Sequence, residues 1–274
     1  MIDKTYKRKI FNRAASSYEK YSHIQDKISQ NLLEKFDNKK NRLENILDLG
    51  CGIGKNGIFL QDKFQPKLLV NFDIAENMLK ESRKKRAESN KKFKDKNCTT
   101  FHICGDMENI PFNSETFDLV WSSSAMQWCN NLSSVFKHVR RILKPNGFLI
   151  FSTFAPGTLE ELRLINQKLS DQPKTNNFFD INAIREFANS AGFQEHLLDQ
   201  KTYRLKYTTI EALLSDIRGV GATSGNNSVS RGLRGRDYLF TLKKHYDIFI
   251  EKDLYPATYE VIYGVLYNNT FADQ

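Results

Sequence analysis

The sequence predicts an α/β protein on a doubly wound sheet of seven strands, with helices ahead of it and a helical insertion before its last strand. Three observations predict it. Apolar runs of strand length alternate with stretches of helical spacing from residue 45 to residue 152. The first run, Ile46-Leu47-Asp48-Leu49, breaks into Gly50-Cys51-Gly52-Ile53-Gly54 and at once into a helical pattern. A parallel strand does this where it turns sharply into a helix beneath a nucleoside. Nineteen residues beyond Gly54, Asp73 closes the second apolar run, where a carboxylate accepts both hydroxyls of a ribose.

Each element follows in order. Residues 2–37 are helical in two pieces, with Ile10, Phe11, Ala14, Ala15 and Tyr18 on one face and Ile24, Ile28, Leu32, Leu33 and Phe36 on the next. After a polar linker, strand 45–49, helix 55–64 and strand 68–73 are separated by the glycine turn and by Pro66. Helix 77–92, strand 99–104 and strand 117–122 come next. Helix 132–143 buries Val135, Phe136, Val139, Ile142 and Leu143, and Lys144-Pro145-Asn146-Gly147 reads as a breaker before strand 148–152. That strand is apolar throughout, as a strand covered on both faces must be. Helices are expected at 156–169, 181–191, 208–220 and 238–250, and strands at 193–207 and 258–267. Residues 1–40 then form a helical cap, 41–208 the α/β core, 209–252 a helical lid, and 253–274 the final strand and tail.

The glycines alone do not name the nucleoside, because Gly52, Gly54 and Gly57 also satisfy the dinucleotide pattern. Asp48 favours a cofactor with a positively charged amino-acid end over one with a pyrophosphate, which a carboxylate repels. Asp106 follows strand 99–104, where it can accept from an adenine amino group with Met107 against the ring. Phe117-Asp118-Leu119-Val120-Trp121-Ser122-Ser123 runs into a substrate loop. In this order the motifs resemble class I, Rossmann-like methyltransferases, so the cofactor implied is S-adenosyl-L-methionine rather than NAD. Cys51 inside the turn, Ile74 beside Asp73, and Ser122, Ser123 and Trp128 complete the expected cofactor set with Asp48, Gly50, Gly52, Gly54, Asp73, Asp106 and Met107.

Composition narrows the remaining classes. With 274 residues, 40% hydrophobic and 27% charged, the chain can bury a full core. No run is apolar enough to span a membrane, and Met1–Lys9 lacks a signal peptide's apolar stretch. The four cysteines and five histidines fall in no metal-ligand spacing, so a cytoplasmic, metal-free protein is expected. The net charge is +9, and residues 80–96 hold nine Lys or Arg against three acids. That run is a solvated face or a docking surface for an acidic partner; without a recognition module or interleaved aromatics it does not point to nucleic acid.

Several stretches outside the cofactor motifs are more particular: Phe11-Asn12-Arg13-Ala14-Ala15-Ser16-Ser17-Tyr18, Ser124-Ala125-Met126-Gln127-Trp128-Cys129, Phe151–Leu162, Arg218-Gly219-Val220-Gly221-Ala222, Gly232-Leu233-Arg234-Gly235-Arg236 and Pro256–Gly264. From about residue 8 to 267, the chain resembles the malonyl-acyl-carrier-protein O-methyltransferases of biotin synthesis. The lysine-rich run and Glu251-Lys252-Asp253-Leu254 depart from that pattern. The resemblance implies that malonyl on an acidic carrier protein is esterified at its free carboxylate.

Such a carboxylate is ionised at neutral pH, with a pKa of roughly 3–4, so no base is required. Recognition asks for a cation, and a guanidinium fork suits a carboxylate. Arg218, Arg231, Arg234 and Arg236 in the insertion are therefore candidates, with Ser17 and Tyr18 of the cap as further catalytic candidates. Gln127 and Trp128 suit a substrate loop. A methyltransferase for another small acid or a quinone precursor shares the same core, and a binding protein with a relict cofactor fold is argued against by the intact Asp48, Asp73 and Asp106.

Overall fold

The computed structural model describes residues 3–36, 42–92, 98–169, 178–222 and 233–269. Three helices open the chain: α1 (Lys4–Ala14), α2 (Tyr18–Tyr21) and α3 (His23–Glu34). The core follows as β1 (Asn45–Leu49), α4 (Lys55–Phe64), β2 (Leu68–Asp73), α5 (Glu76–Lys92), β3 (Thr99–Cys104), β4 (Phe117–Ser123), α6 (Leu132–Ile142) and β5 (Leu143–Phe154). Then come α7 (Glu160–Leu169), α8 (Ile181–Ser190), β6 (Gln194–Tyr207), α9 (Ile210–Gly219), α10 (Leu233–Tyr246) and β7 (Tyr255–Tyr267). The seven strands lie in the order β3-β2-β1-β4-β5-β7-β6. β7 is antiparallel to both its neighbours, while β1 to β5 pair in parallel. The strand order reverses between β1 and β4, and that switch opens a crevice at their carboxyl ends.

The two-residue period of each strand divides the core. Ile46, Leu69, Leu119, Trp121 and Ile150 join one layer with Ile28 and Leu32 of α3 and Leu213 of α9. Leu47, Val70, Phe72, Val120, Leu149 and Phe151 join the opposite layer with Phe136 and Val139 of α6 and Ile184 of α8. Helices thus cover both faces, which is why apolar residues of the central strands point into both layers.

Among the boundaries that differ from the sequence reading, three show their physical cause. The cap is three helices rather than two, because the chain turns at Ala15–Ser17 and again at Ser22. The breaker Lys144–Gly147 is absorbed as an irregularity at the start of β5: Phe117 pairs with Leu143, but Leu119 already pairs with Phe148. Asn268 holds the irregularity closed by donating its side-chain amide to the Leu143 and Lys144 carbonyls, and Asn146 takes a left-handed φ of 63°. β7 starts at Tyr255, three residues early, and there it pairs only with β6; Pro256 is tolerated because β5 reaches no further along β7 than Val261.

Candidate functional site

The glycine turn builds the floor of the crevice. The Gly50 and Cys51 amides both donate to the Phe72 carbonyl, at 2.7 and 3.1 Å, so the turn is tied to the end of β2. Gly52 has φ 53°, and a Cβ there would meet nothing within 4 Å. The backbone is bare and faces open space, as a ligand lying flat on it requires. Asp73 braces the turn from the side: Oδ2 accepts from the Gly52 amide at 2.9 Å and Oδ1 from the Ala75 amide at 2.8 Å. Burial pushes its carboxyl up to about 6, against the lowering effect of the Ala75, Gly52 and Ile74 amides.

Asp48 lies beneath the turn, wholly buried, and does not line the cleft. Burial and the neighbouring Asp73 raise its carboxyl to about 8; the Gly57 amide opposes the rise without reaching full hydrogen-bond geometry. Gly54 is also below the surface, where a Cβ would come within 2.1 Å of Ser82 Oγ. Gly50, Cys51, Gly52, Asp73, Ile74, Asp106, Met107, Ser123 and Trp128 do line the cleft, which encloses about 1190 Å³ with its mouth included. Ser122 does not; its hydroxyl donates to the Leu49 carbonyl at 2.8 Å and stitches β4 to β1. Both Asp106 oxygens already accept, one from the Glu108 amide at 2.9 Å and one from Lys4 Nζ at 2.5 Å.

The cap forms the roof. Tyr18 lines the cleft, and burial, reinforced by Asp73 and Asp26, raises its phenol so that it stays a neutral donor. Ser17 turns away and donates to the Ala14 carbonyl at 3.2 Å. Trp128 stands edge-on to Phe11 with ring centroids 5.6 Å apart. The end of α9 closes against this roof. A Cβ on Gly219 would lie 2.1 Å from the Tyr21 ring, and one on Gly221 2.9 Å from Phe11. These two glycines let the insertion touch the cap, and Val220 and Ala222 join the cleft wall as a result.

The expected arginines fare differently. Arg218 is exposed, does not line the cleft, and donates Nε to the Leu214 carbonyl of its own helix at 3.1 Å. Arg231 lies outside the described residues, and Arg234 and Arg236 are positions in the first turn of α10. The cations that do line the cleft are Lys4, Lys7 and Lys55. Lys4 and Lys7 escaped the sequence reading, although they continue the helical spacing of Phe11, Ala14 and Tyr18. A charged residue in an otherwise apolar stripe was the signal available.

Three further buried acceptors line the cleft with no hydrogen-bond partner among the described residues: Gln25 Oε1, Ser124 Oγ and Gln127 Oε1. No histidine lines it, no cluster of metal-ligating side chains occurs among the described residues, and burial raises the thiols of Cys51 and Cys129 away from thiolate. Nor, among the described residues, is any helix long and apolar enough to cross a membrane. The arrangement can bind and orient; nothing in it marks a nucleophile or a metal site.

Comparison with known proteins agrees. Residues 47–151 match a methyltransferase-domain family. The malonyl-[acyl-carrier protein] O-methyltransferase of Methylovorus sp. (strain MP688) is 34% identical over 265 residues, 96% of this chain and 88% of that protein. That of Gallionella capsiferriformans (strain ES-2) is 33% identical, covering 96% and 90%. The biotin biosynthesis bifunctional protein BioHC of Saccharophagus degradans is 33% identical over 92% of this chain and 44% of its own length. Among solved structures, Haemonchus contortus phosphoethanolamine N-methyltransferase 2 in complex with S-adenosyl-L-methionine shares the fold, with a TM-score of 0.56 at 20% identity over 94% of this chain and 57% of that one. The chain belongs to the malonyl-[acyl-carrier protein] O-methyltransferase family.

Proposed function

We propose that this protein transfers a methyl group from S-adenosyl-L-methionine to the free carboxylate of malonyl held on acyl carrier protein, giving the methyl ester that primes the pimeloyl branch of biotin synthesis. One observation of the site carries the reading: its lining is rich in buried acceptors awaiting donors, as a cofactor with a cationic end requires. The residues fit the cofactor. Bare backbone at Gly52 suits a flat nucleoside, Asp73 can take the ribose hydroxyls, and Met107 and Ile74 supply apolar contact. The unpartnered oxygens of Gln25, Ser124 and Gln127 suit a cationic amino-acid end.

S-adenosyl-L-methionine supplies an electrophilic methyl on a sulfonium. The protein's part is positioning and the exclusion of water. The malonyl carboxylate attacks as the anion it already is, so no proton has to move. Holding two reactants in line supplies several kcal/mol, up to roughly 7–11 in ideal cases. Trp128, Phe11, Phe154, Val220 and Ala222 give the cleft an apolar wall that dries the nucleophile. Tyr18, protonated throughout the working range, can donate to the acceptor without competing as a base.

The test is to incubate the protein with labelled S-adenosyl-L-methionine and malonyl-carrier protein and to weigh the intact carrier. A carrier heavier by one methyl in place of hydrogen, with the label in a base-labile ester, is the result expected. An unlabelled carrier, with label passing instead to another small acid or a quinone precursor, refutes the assignment.

A further inference from the structure

The turn between β4 and α6 supplies five residues of the cleft's lining: Ser124, Ala125, Gln127, Trp128 and Cys129. Its first end is tied to β5, because the Ser124 amide donates to the Ser152 carbonyl at 3.1 Å and to Ser152 Oγ at 3.0 Å. Inside the turn, the Trp128 amide donates to the Ala125 carbonyl and the Cys129 amide to the Met126 carbonyl, each at 3.1 Å. At its far end, the Asn130 and Asn131 amides stand ahead of α6 and outside its own hydrogen bonding. Both donate to one oxygen, Glu108 Oε1, the second at 3.1 Å. A carboxylate at that place also meets the positive end of the helix dipole of α6.

The other oxygen of Glu108 faces the cap. Oε2 accepts from Lys4 Nζ at 2.5 Å, and the same ammonium reaches Asp106 Oδ2 at 2.5 Å. The Glu108 amide donates to Asp106 Oδ1 at 2.9 Å, which sets the two acids side by side. Asp106 is the acid expected to meet the cofactor's adenine, and Glu108 leaves Lys4 a carboxylate of its own when it does. Glu108 does not line the cleft, and its side chain is 15% exposed. A largely buried carboxylate outside the cleft thus joins two segments that both wall it. Such networks fix one arrangement of the parts they join. We infer that Glu108 is a positioning residue that couples the cap to the turn after β4: Oε2 keeps α1 seated over the nucleoside, and Oε1 keeps Gln127 and Trp128 in place for the acceptor. The identity of the two substrates rests on the functional reading above.

Variants of the full chain separate the two oxygens. Glu108→Gln retains an oxygen for the two amides and loses the charge that holds Lys4. Glu108→Ala loses both contacts, and Lys4→Met loses only the contact to the cap. Amide hydrogen exchange read by mass spectrometry reports on the turn, stopped-flow release of S-adenosylhomocysteine on the cap, and kinetics on malonyl-carrier protein on the consequence. In Glu108→Ala, exchange across residues 126–131 should quicken at least about tenfold, while β1 and β5 keep wild-type protection and so report an intact fold. Glu108→Gln should stay within about threefold of wild type across that turn. All three variants should release S-adenosylhomocysteine about threefold faster or more, the scale of a partly exposed ion pair. For malonyl-carrier protein, kcat/KM should fall at least about tenfold in Glu108→Ala and clearly less in Glu108→Gln. Wild-type exchange in Glu108→Ala overturns the proposal. So does exchange in Glu108→Gln as fast as in Glu108→Ala, or unchanged release from Glu108→Gln. If Glu108→Ala loses protection in β1 and β5 as well, Glu108→Asp decides: one methylene shorter, it cannot reach both partners, so one contact should weaken, and wild-type exchange with wild-type release overturns the proposal. A wild type that leaves malonyl-carrier protein unmethylated sinks the functional reading alone, because exchange and S-adenosylhomocysteine release still judge Glu108.

Discussion

Asp73→Ala separates folding from cofactor binding. In the folded chain the carboxylate accepts from two amides, Gly52 at 2.9 Å and Ala75 at 2.8 Å. Deletion leaves these two amides without their acceptor, at about 1–3 kcal/mol each, so it costs about 2–6 kcal/mol of stability. Against this, burial raises the carboxyl from 3.8 to about 6, and ionising it in the fold at pH 8 costs about 3 kcal/mol at 1.36 kcal/mol per pH unit. Removal relieves that cost, so the net loss of stability is at most about 3 kcal/mol. Cofactor binding has no such offset. Two ribose hydroxyls lose an ionised acceptor, again about 1.5–3 kcal/mol each, which is a loss of about 100-fold or more. Calorimetry with S-adenosylhomocysteine, beside thermal unfolding of the ligand-free chain, measures both. A large fall in affinity with a modest fall in Tm is expected. Unchanged affinity refutes the ribose assignment, and a chain that no longer unfolds cooperatively refutes the cancellation.

The same carboxyl sets a pH dependence. Its folded value lies above its unfolded one, so stability from this group is fully present below about pH 4 and is lost as pH rises through about 6, while cofactor affinity moves oppositely and weakens as pH falls below 6. Titrating affinity between pH 5 and 8 checks this, and Asp73→Asn should flatten the profile. Asp48→Asn removes a buried carboxyl raised to about 8, so the ligand-free variant should gain Tm over wild type, more at pH 9 than at pH 6, while binding S-adenosylhomocysteine more weakly; an equal gain at both pH values would contradict the burial argument. Lys4→Met frees α1 from Asp106 and Glu108 and should speed cofactor dissociation by stopped-flow fluorescence, with KM for the acceptor changed less. Gly221→Val drives a side chain into Phe11 and Ile10 at a φ of 70°, and should lower kcat and Tm together as the insertion lifts from the cap.

Much of the sheet and half of the cleft follow from local pattern. Ile46–Leu49 and Leu68–Phe72 are apolar runs flanked by obligatory turns, so their ends were readable to the residue. Gly50, Gly52 and Asp73 were legible because the geometry of a strand-to-helix turn restricts which residues can stand there. The breaker at Lys144–Gly147 misled because its resolution came from Asn268, more than a hundred residues away, whose side chain caps the exposed carbonyls. Ser17 and Ser122 misled for a related reason: a hydroxyl takes the nearest carbonyl, and for these two that carbonyl is local or on the adjoining strand rather than in the cleft.

The sequence by itself determined the doubly wound sheet, the bare glycine floor and the acid beside it, because periodicity and backbone sterics act over a few residues. Only the tertiary structure decided which cations reach the cleft. Helical spacing says which side chains share a face, but not what that face meets. α1 laid across the crevice buries Lys7 on Trp128, whereas α9 reaches the cap through Gly219 and Gly221 and leaves Arg218 in solvent. Which cations line the cleft is set by docking between segments about one to two hundred residues apart, and no local pattern records such an encounter.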